Sequence, residues 1–182
     1  MMRSMKYPIL LPFLALMVAC GGSDAPETPR DANERIRLME DSVFESSTFD
    51  LRRAQALLDV YKAYANAHQL DSMAPEYLFR AANLSKSMHD GAQSIRLYDR
   101  IITDYGNWYR LPDVYYLKAF TIDSELDQRG EAKTAYEEVI NRYPDHPFAK
   151  DARAMIDNLM YTDEELIERF KQMEQDSGVA VQ

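Results

Sequence analysis

Apolar residues recur along most of this chain at the spacing of one face of a helix. In the segment 97–105 they stand at positions i, i+1, i+4, i+5 and i+8, and the same pattern returns in the segment 135–143. The matched pairs are Leu97 and Ala135, Tyr98 and Tyr136, Ile101 and Val139, Ile102 and Ile140, and Tyr105 and Tyr143. This spacing places all five side chains of a segment on one helical face, which we expect to be buried.

Three junctions between predicted helices also match one another. They read HQLDSMAPEY from His68, YGNWYRLPDV from Tyr105 and YPDHPFAKDA from Tyr143, at nearly equal spacings along the chain. Each has an aromatic ring where a helix ends, a polar turn, and then a proline or a carboxylate in the first turn of the next helix. Proline loses no hydrogen bond there, and a carboxylate meets the positive end of the helix dipole. The junctions therefore predict helix starts at 74–76, 111–113 and 149–151.

Short connections join the two helices of each unit. MHDG at 88–91 and LDQRG at 126–130 suit antiparallel helix pairs. Further helices are predicted over 30–47, 50–68 and 147–160, and a capping-box sequence, Thr162-Asp163-Glu164-Glu165, opens a final helix. The chain is therefore predicted to be all-α, with about eight helices and no strand.

These units resemble the tetratricopeptide repeat (TPR) family. The resemblance rests on two-helix units of nearly constant length, on the small pair Ala81-Ala82 midway along a first helix, and on Tyr98 or Tyr136 on the second. It covers roughly 34–160 and implies a right-handed α-α superhelix of about three to four helix pairs, in a helical domain over 34–176. A single helix pair leaves an apolar face in water, whereas stacked units bury it.

The first nineteen residues predict a secretory signal. Arg3 and Lys6 precede an apolar run over 9–19, which is too short to span the roughly 30 Å hydrocarbon core of a membrane. Met17-Val18-Ala19-Cys20 resembles the lipobox of bacterial lipoproteins, which implies that Cys20 is lipidated, with palmitate among its acyl chains, and becomes the new N-terminus. An ordinary signal peptide with an incidental cysteine is the alternative. The Gly- and Pro-containing segment 20–33 is predicted to be a flexible tether.

Charge restricts the partners of this chain. The net charge is −9, and loss of residues 1–19 with Arg3 and Lys6 brings it to −11. Nucleic-acid binding needs a concentrated basic surface, so nucleic acid is excluded as a partner. Membrane attachment would depend on the acyl chains, since an acidic body is repelled by anionic lipid. Gly21 after the cysteine implies release to the outer membrane, with its periplasmic face preferred to the outer surface.

No catalytic, cofactor or metal motif is recognisable in the sequence. Glycine-rich phosphate loops are absent, and the three histidines, His68, His89 and His146, lack the spacing of metal ligands on one helix. Paired carboxylates such as Glu137-Glu138 suit a solvated helix face better than acid–base catalysis. We therefore expect no enzyme activity, cofactor or metal, and an envelope hydrolase is the weakest alternative.

The TPR resemblance implies a concave groove, lined by first helices, that holds a peptide or helix of a partner protein. Asn83 and Asn158 are separated by the sum of the two junction spacings, so they hold equivalent positions in their units. An Asn side chain can both donate to and accept from a peptide backbone. Ordinary surface polarity explains these residues equally well. The candidate partner-binding residues are Arg80, Asn83, Lys86, Lys118, Thr121 and Asn158.

The aromatic cluster NWYRLPDVYY allows two interpretations. Its rings either fill the wedge between units, or Trp108 and Tyr109, next to Arg110, stay partly exposed as a binding hot spot. The expected function is a protein–protein interaction or scaffolding module anchored by lipid in the cell envelope, and the resemblance suggests envelope or outer-membrane assembly as its setting. The alternative is a structural helical subunit that associates with itself and has no client groove.

Overall fold

The protein is all-helical over the residues described by a computed structural model, 28–45 and 48–176. That part of the chain contains eight helices and no strand, so the predicted all-α class is confirmed. The signal peptide, Cys20 and the predicted tether up to residue 27 lie outside the described residues. The helices are α1 (Pro29–Phe44), α2 (Leu51–Ala67), α3 (Met73–Ser87), α4 (Gly91–Asp104), α5 (Leu111–Leu126), α6 (Arg129–Arg142), α7 (Pro147–Asn158) and α8 (Asp163–Asp176).

The helices pack in chain order. From α1 to α7 each helix lies against the next one, and the first helices of successive units, α3, α5 and α7, also contact one another. This is the arrangement of a helical repeat solenoid, as predicted. The buried core is supplied by residues between Ala32 and Ala152. A chain that lacks residues 1–19 therefore keeps the whole of this core.

The three matched junctions have the same backbone geometry. His68, Tyr105 and Tyr143 end their helices with φ of −127°, −129° and −133°, and each N–H donates to the carbonyl four residues earlier. Each of their carbonyls then accepts from the N–H three residues later, at 2.9, 2.9 and 3.0 Å. The repeat inferred from the sequence is thus a repeat of backbone structure.

The short connections within units are also equivalent. His89 (φ 59°) and Asp127 (φ 50°) occupy the left-handed region at matching positions of successive units. After His89, the Asp90 carboxylate caps α4 by accepting the N–H of Gln93 at 2.9 Å. Gly91 then allows α4 to approach α5 closely, since a Cβ built on it would lie 2.7 Å from the Cβ of Glu125.

Tyrosines form the centre of the core. Tyr61, Tyr98 and Tyr136 are the largest fully buried side chains of the described residues. Ala81 and Ala82 are fully buried as well, which lets neighbouring helices pack closely around α3. The predicted apolar faces of α4 and α6 therefore pack into the core. Half of their residues are buried, and the other half stay partly exposed, namely Ile102, Tyr105, Ala135, Ile140 and Tyr143.

The predicted tether extends too far along the chain. Helix α1 already begins at Pro29, so residues 29–33 are helical. The Thr28 side chain accepts from the N–H of Asp31, proline occupies the first helical turn, and Ala32 is buried. A cap, a proline and a carboxylate in this order favour a helix start.

The predicted capping box of α8 is confirmed. The N–H of Glu165 donates to the Thr162 hydroxyl at 3.3 Å, and the N–H of Thr162 donates to the Glu165 carboxylate at 2.8 Å.

Candidate functional site: a groove along the first helices

A cavity of about 380 Å³ lies on the side of the solenoid formed by α1, α3 and the start of α5. Three successive units contribute to its walls. Both charged or polar groups and apolar side chains line it, and they contact one another. The lining residues are Glu40, Phe44, Tyr61, Glu76, Phe79, Arg80, Asn83, Leu84, Ser87 and Arg110. We call this cavity the groove.

Two arginines in the groove are held by carboxylates from different helices. Arg80 bonds Glu40 at 2.7 Å and Glu76 at 2.9 Å, and Glu76 also accepts from Arg110 at 3.2 Å. The guanidinium of Arg110 lies 4.0 Å from the centre of the Phe79 ring. Because each guanidinium is fixed by more than one contact, little side-chain entropy remains to be lost when a ligand binds.

The proton positions in this network are well defined. Burial raises the pKa of the Tyr61 hydroxyl, and so does the bond of 2.6 Å that it donates to Glu40. Burial opposes the charge on Arg80, but the hydrogen bonds to Glu40 and Glu76 outweigh it and raise the pKa of this residue. Tyr61 is therefore a neutral donor and Arg80 a permanent cation at physiological pH.

Apolar side chains form the rest of the groove lining. Phe79 and Leu84 are buried, whereas Phe44, at the end of α1, is 62% exposed at the mouth. A half-open channel with an apolar wall and a few fixed polar groups is the usual form of a site for a peptide or small ligand. It suits a segment that carries an apolar side chain beside backbone or polar groups.

Two of the predicted partner-binding residues line the groove. Arg80 belongs to the charge network, and the side-chain oxygen of Asn83 accepts from Tyr98 at 2.8 Å. Lys86, one turn further along α3, places its ammonium 3.8 Å from the centre of the Phe120 ring, and burial lowers its pKa. Lys86 thus packs across to α5 beyond the groove.

Three predicted residues lie elsewhere. Lys118 pairs with Asp99 of α4 at 2.6 Å, so it is held on the second helix of the preceding unit. Thr121 is fully buried and donates to the carbonyl of Leu117 at 2.8 Å, which makes it unavailable to a partner. The assignment of these two residues to the groove is therefore corrected, because the side chain of Lys118 is held by α4 and that of Thr121 lies in the core. Asn158 lines a separate cavity.

This second cavity, of about 480 Å³, lies between α5, α7 and the start of α8. Phe120 and Met155 form apolar walls beside Asn158 and the carboxylate of Asp123. Burial raises the pKa of Asp123. The hydroxyl of Tyr136 is buried nearby and meets no partner with hydrogen-bond geometry among the described residues. Asn83 and Asn158, equivalent in the repeat, thus line different cavities.

The two residues of the aromatic cluster have different environments. Trp108 is half-buried and packs edge-on against Phe79, with ring centres 5.7 Å apart. Tyr109 contacts Trp108 but is 80% exposed. Trp108 therefore contributes to packing between units, and Tyr109 remains available for an external contact.

Sequence reasoning misses the carboxylates of the groove, Glu40 and Glu76. The i, i+4 spacing of Glu76 and Arg80 is a local signal that could identify one of them. Glu40 meets Arg80 from a distant part of the chain and has no such signal.

Comparison with known proteins assigns no relative. No family model matches the chain, and no curated protein matches it. Within residues 28–45 and 48–176, no cluster of three or more potential metal ligands occurs. Over the same ranges, every helix is too short or too polar to cross a bilayer.

Proposed function

We propose that this protein is a TPR-type lipoprotein of the cell envelope that binds a segment of another protein in the groove. The observation that supports this most strongly is the groove itself, where three successive units bring a fixed arginine pair together with apolar side chains. A solenoid surface of this kind offers an extended site that no single unit could provide. The resemblance to TPR proteins suggests envelope or outer-membrane assembly as its setting.

Binding in the groove would combine burial with hydrogen bonding. An apolar side chain of the partner would be covered by Phe44, Phe79 and Leu84, while Arg80 and Asn83 meet its backbone or polar groups. The two carboxylates balance the two guanidinium groups, so a strongly charged partner gains no net attraction within the groove. A partner segment with one apolar anchor between neutral polar residues fits this site best.

Lipidation of Cys20 would hold the groove close to the membrane and raise the effective concentration of partners there. Cells grown with labelled palmitate are expected to label the wild-type protein, and Cys20→Ser is expected to lose the label and leave the membrane fraction. The serine differs from the cysteine by one atom, so secretion itself should be little affected. Label retained by Cys20→Ser, or absent from the wild type, would contradict the anchor.

Phe44→Ser is expected to weaken partner binding about tenfold, because loss of an exposed aromatic anchor at an interface centre typically costs at least this much. Phe44 is 62% exposed at the mouth of the groove, so its truncation should leave folding nearly unchanged. Chemical crosslinking in the native envelope, followed by mass spectrometry of the attached proteins, measures the effect as crosslink yield.

The matched control is Phe49→Ser. Phe49 is 54% exposed close to Phe44 in the chain, but it does not line the groove. Its crosslink yield should equal that of the wild type. Equal losses from both variants would show that a general apolar surface, and not the groove, captures the partner. Unchanged yield from Phe44→Ser would remove the groove as the binding site.

Self-association is a second candidate function, because α8 carries an uncovered apolar stripe. Ile167, Phe170 and Met173 follow one another at every third position and are 54%, 52% and 47% exposed. A second copy could cover this stripe at the end of the solenoid. Size measurement in solution separates the candidates, since a stable homo-oligomer without any crosslinked protein would favour the structural role.

A further inference from the structure

Two consecutive turns of the solenoid present apolar side chains at one edge of the molecule. Leu70, in the turn between α2 and α3, is fully exposed, and Tyr109, in the turn between α4 and α5, is 80% exposed. Leu70 and Trp108 line a common cavity of about 400 Å³ between these turns, and Tyr109 packs on Trp108. We call this surface, formed by turns 68–72 and 105–110, the anchor-side edge.

The chain enters α1 at the same edge. Arg30 and Asn33, in the first turns of α1, share a cavity with Met73 at the start of α3, and the Tyr77 hydroxyl donates to Asn33. Helix α1 has sixteen residues, so its far end lies about 24 Å away at the opposite edge. An anchor attached to the chain before α1 is thus nearest to the anchor-side edge.

The proposed lipid attachment at Cys20 lies only a short length of chain from the start of α1. Eight residue steps separate Cys20 from Thr28, and an extended chain advances about 3.5 Å per residue, so the reach is at most about 28 Å. The anchor-side edge is therefore held within one domain diameter of the bilayer. At this distance a weak affinity for the surface is sufficient to orient the domain.

The side chains of the anchor-side edge suit the boundary between a membrane and water. Tyr and Trp are enriched where a membrane meets water, because their rings are amphipathic. Asp71 and Asp104 line the same cavity as Trp108, and Asp104 is paired with Arg100 at 3.2 Å. The charge of Asp71 and the net negative charge of the chain therefore disfavour an anionic surface, whereas a zwitterionic one is tolerated. The third equivalent turn carries exposed Asp145, and its aromatic residues Tyr143 and Phe148 are partly buried. The contact is therefore limited to the half of the solenoid nearest the tether.

We propose that the anchor-side edge rests on the membrane surface, with Leu70 and Tyr109 inserted among the headgroups of zwitterionic phospholipids. This inference deepens the proposed function and rests on its lipid anchor. It adds an orientation of the domain, in which the turns 68–72 and 105–110 contact the bilayer and the groove extends away from it.

The chain offers its own reporter and its own point of attachment, since it has one tryptophan, Trp108, and one cysteine, Cys20. A chain of residues 20–182 keeps the entire described core and can be coupled through Cys20 to a maleimide lipid in phosphatidylcholine vesicles. Lipids brominated near the headgroup quench only a tryptophan that touches the surface. We expect quenching and a blue shift of Trp108 emission in the coupled protein.

Leu70→Ser is expected to lower the equilibrium constant between docked and undocked protein about tenfold, because loss of the contact of a leucine side chain with lipid costs roughly one factor of ten. Leu51→Ser is the matched control, since Leu51 is 61% exposed at the opposite edge. Its quenching should equal that of the wild type. Addition of phosphatidylglycerol should reduce quenching through repulsion by Asp71 and by the net negative charge of the chain. Circular dichroism of each variant verifies the fold.

Two results would overturn the proposal. One is quenching of the wild type no greater than that of the protein free in solution, and the other is an equal loss in Leu70→Ser and Leu51→Ser. Crosslinks from the edge to an envelope protein, without lipid quenching, would make it a protein-docking surface instead. The maleimide lipid takes the place of the natural acyl chains in this experiment. Quenching of Trp108 can therefore be measured even if palmitate labelling fails, so a failure of the membrane contact is distinguishable from a failure of the proposed lipidation.

Discussion

Tyr98→Ala is expected to lower the free energy of unfolding by about 3–5 kcal/mol, the usual cost of truncating a fully buried aromatic residue to alanine. Tyr98 is 0% exposed on α4, packs near Phe79 of α3, and donates a hydrogen bond to Asn83. Its removal would open a cavity between two units and leave Asn83 without its donor. Urea denaturation followed by circular dichroism measures the loss.

Tyr109→Ala is the control for this substitution, because the same side chain is removed from a site that is 80% exposed. A change of no more than about 0.5 kcal/mol is expected there, as for most surface substitutions. Tyr98→Phe separates the ring from the hydroxyl and should cost about 1 kcal/mol, the net value of one hydrogen bond. Equal stability of Tyr98→Ala and the wild type would show that the α3–α4 interface does not hold the fold together.

Gly91→Ala is expected to destabilise the protein by about 1–3 kcal/mol, because the added methyl group overpacks a close helix contact. A Cβ at this position would lie 2.7 Å from the Cβ of Glu125 and 3.4 Å from a methyl group of Leu126. The Cβ of Glu125 is fixed to the backbone of α5, so α4 and α5 would have to move apart. Thermal unfolding measured beside urea denaturation reports the effect.

Gly130→Ala is the matched control, since Gly130 lies near the equivalent start of α6 and a Cβ there would meet nothing within 4 Å. Alanine is the better helix former, so this variant should be unchanged or more stable by up to about 1 kcal/mol. Opposite signs for the two glycines would identify the contact with α5 as the cause. Destabilisation of both variants by the same amount would instead indicate a general intolerance of alanine in these first helical turns.

Much of the fold is predictable because its signals are local. Several features each depend on residues within a few positions of one another. They are the helix ends at His68, Tyr105 and Tyr143, the left-handed residues in the short connections, and the apolar faces of α4 and α6. Repetition then strengthens each signal. The end of the tether is the exception, since Pro29, which opens α1, also suggests a linker and favours a tether that extends too far into this helix.

The groove is only partly predictable, because its contacts join distant parts of the chain. The position of Arg80 and Asn83 on a first helix indicates their role, but the pairing of Arg80 with Glu40 depends on how α1 crosses α3. Thr121 shows the converse limit. It stands one repeat after Asn83, yet it is fully buried, because the side of a helix that meets solvent depends on how its neighbours pack.

The repeat is also imperfect in its polar chemistry. Tyr98 donates to Asn83, whereas the hydroxyl of Tyr136, in the equivalent position on α6, interacts with the carboxylate of Asp123 without ideal hydrogen-bond geometry. Periodicity of apolar residues predicts that both rings are buried, and it carries no information on where their hydroxyls bond. Specific interactions therefore vary between units that share one backbone geometry.

The turns that join successive units, which share one backbone geometry, affect how the solenoid unfolds. Each turn couples only neighbouring helix pairs, so cooperativity decays along the solenoid, as in a one-dimensional chain of interacting elements. The apolar stripe of α8 is half-exposed, so local unfolding requires the least free energy at this end. The protein can thus lose its last helices in small fluctuations while the units that frame Arg80 and Arg110 remain closed.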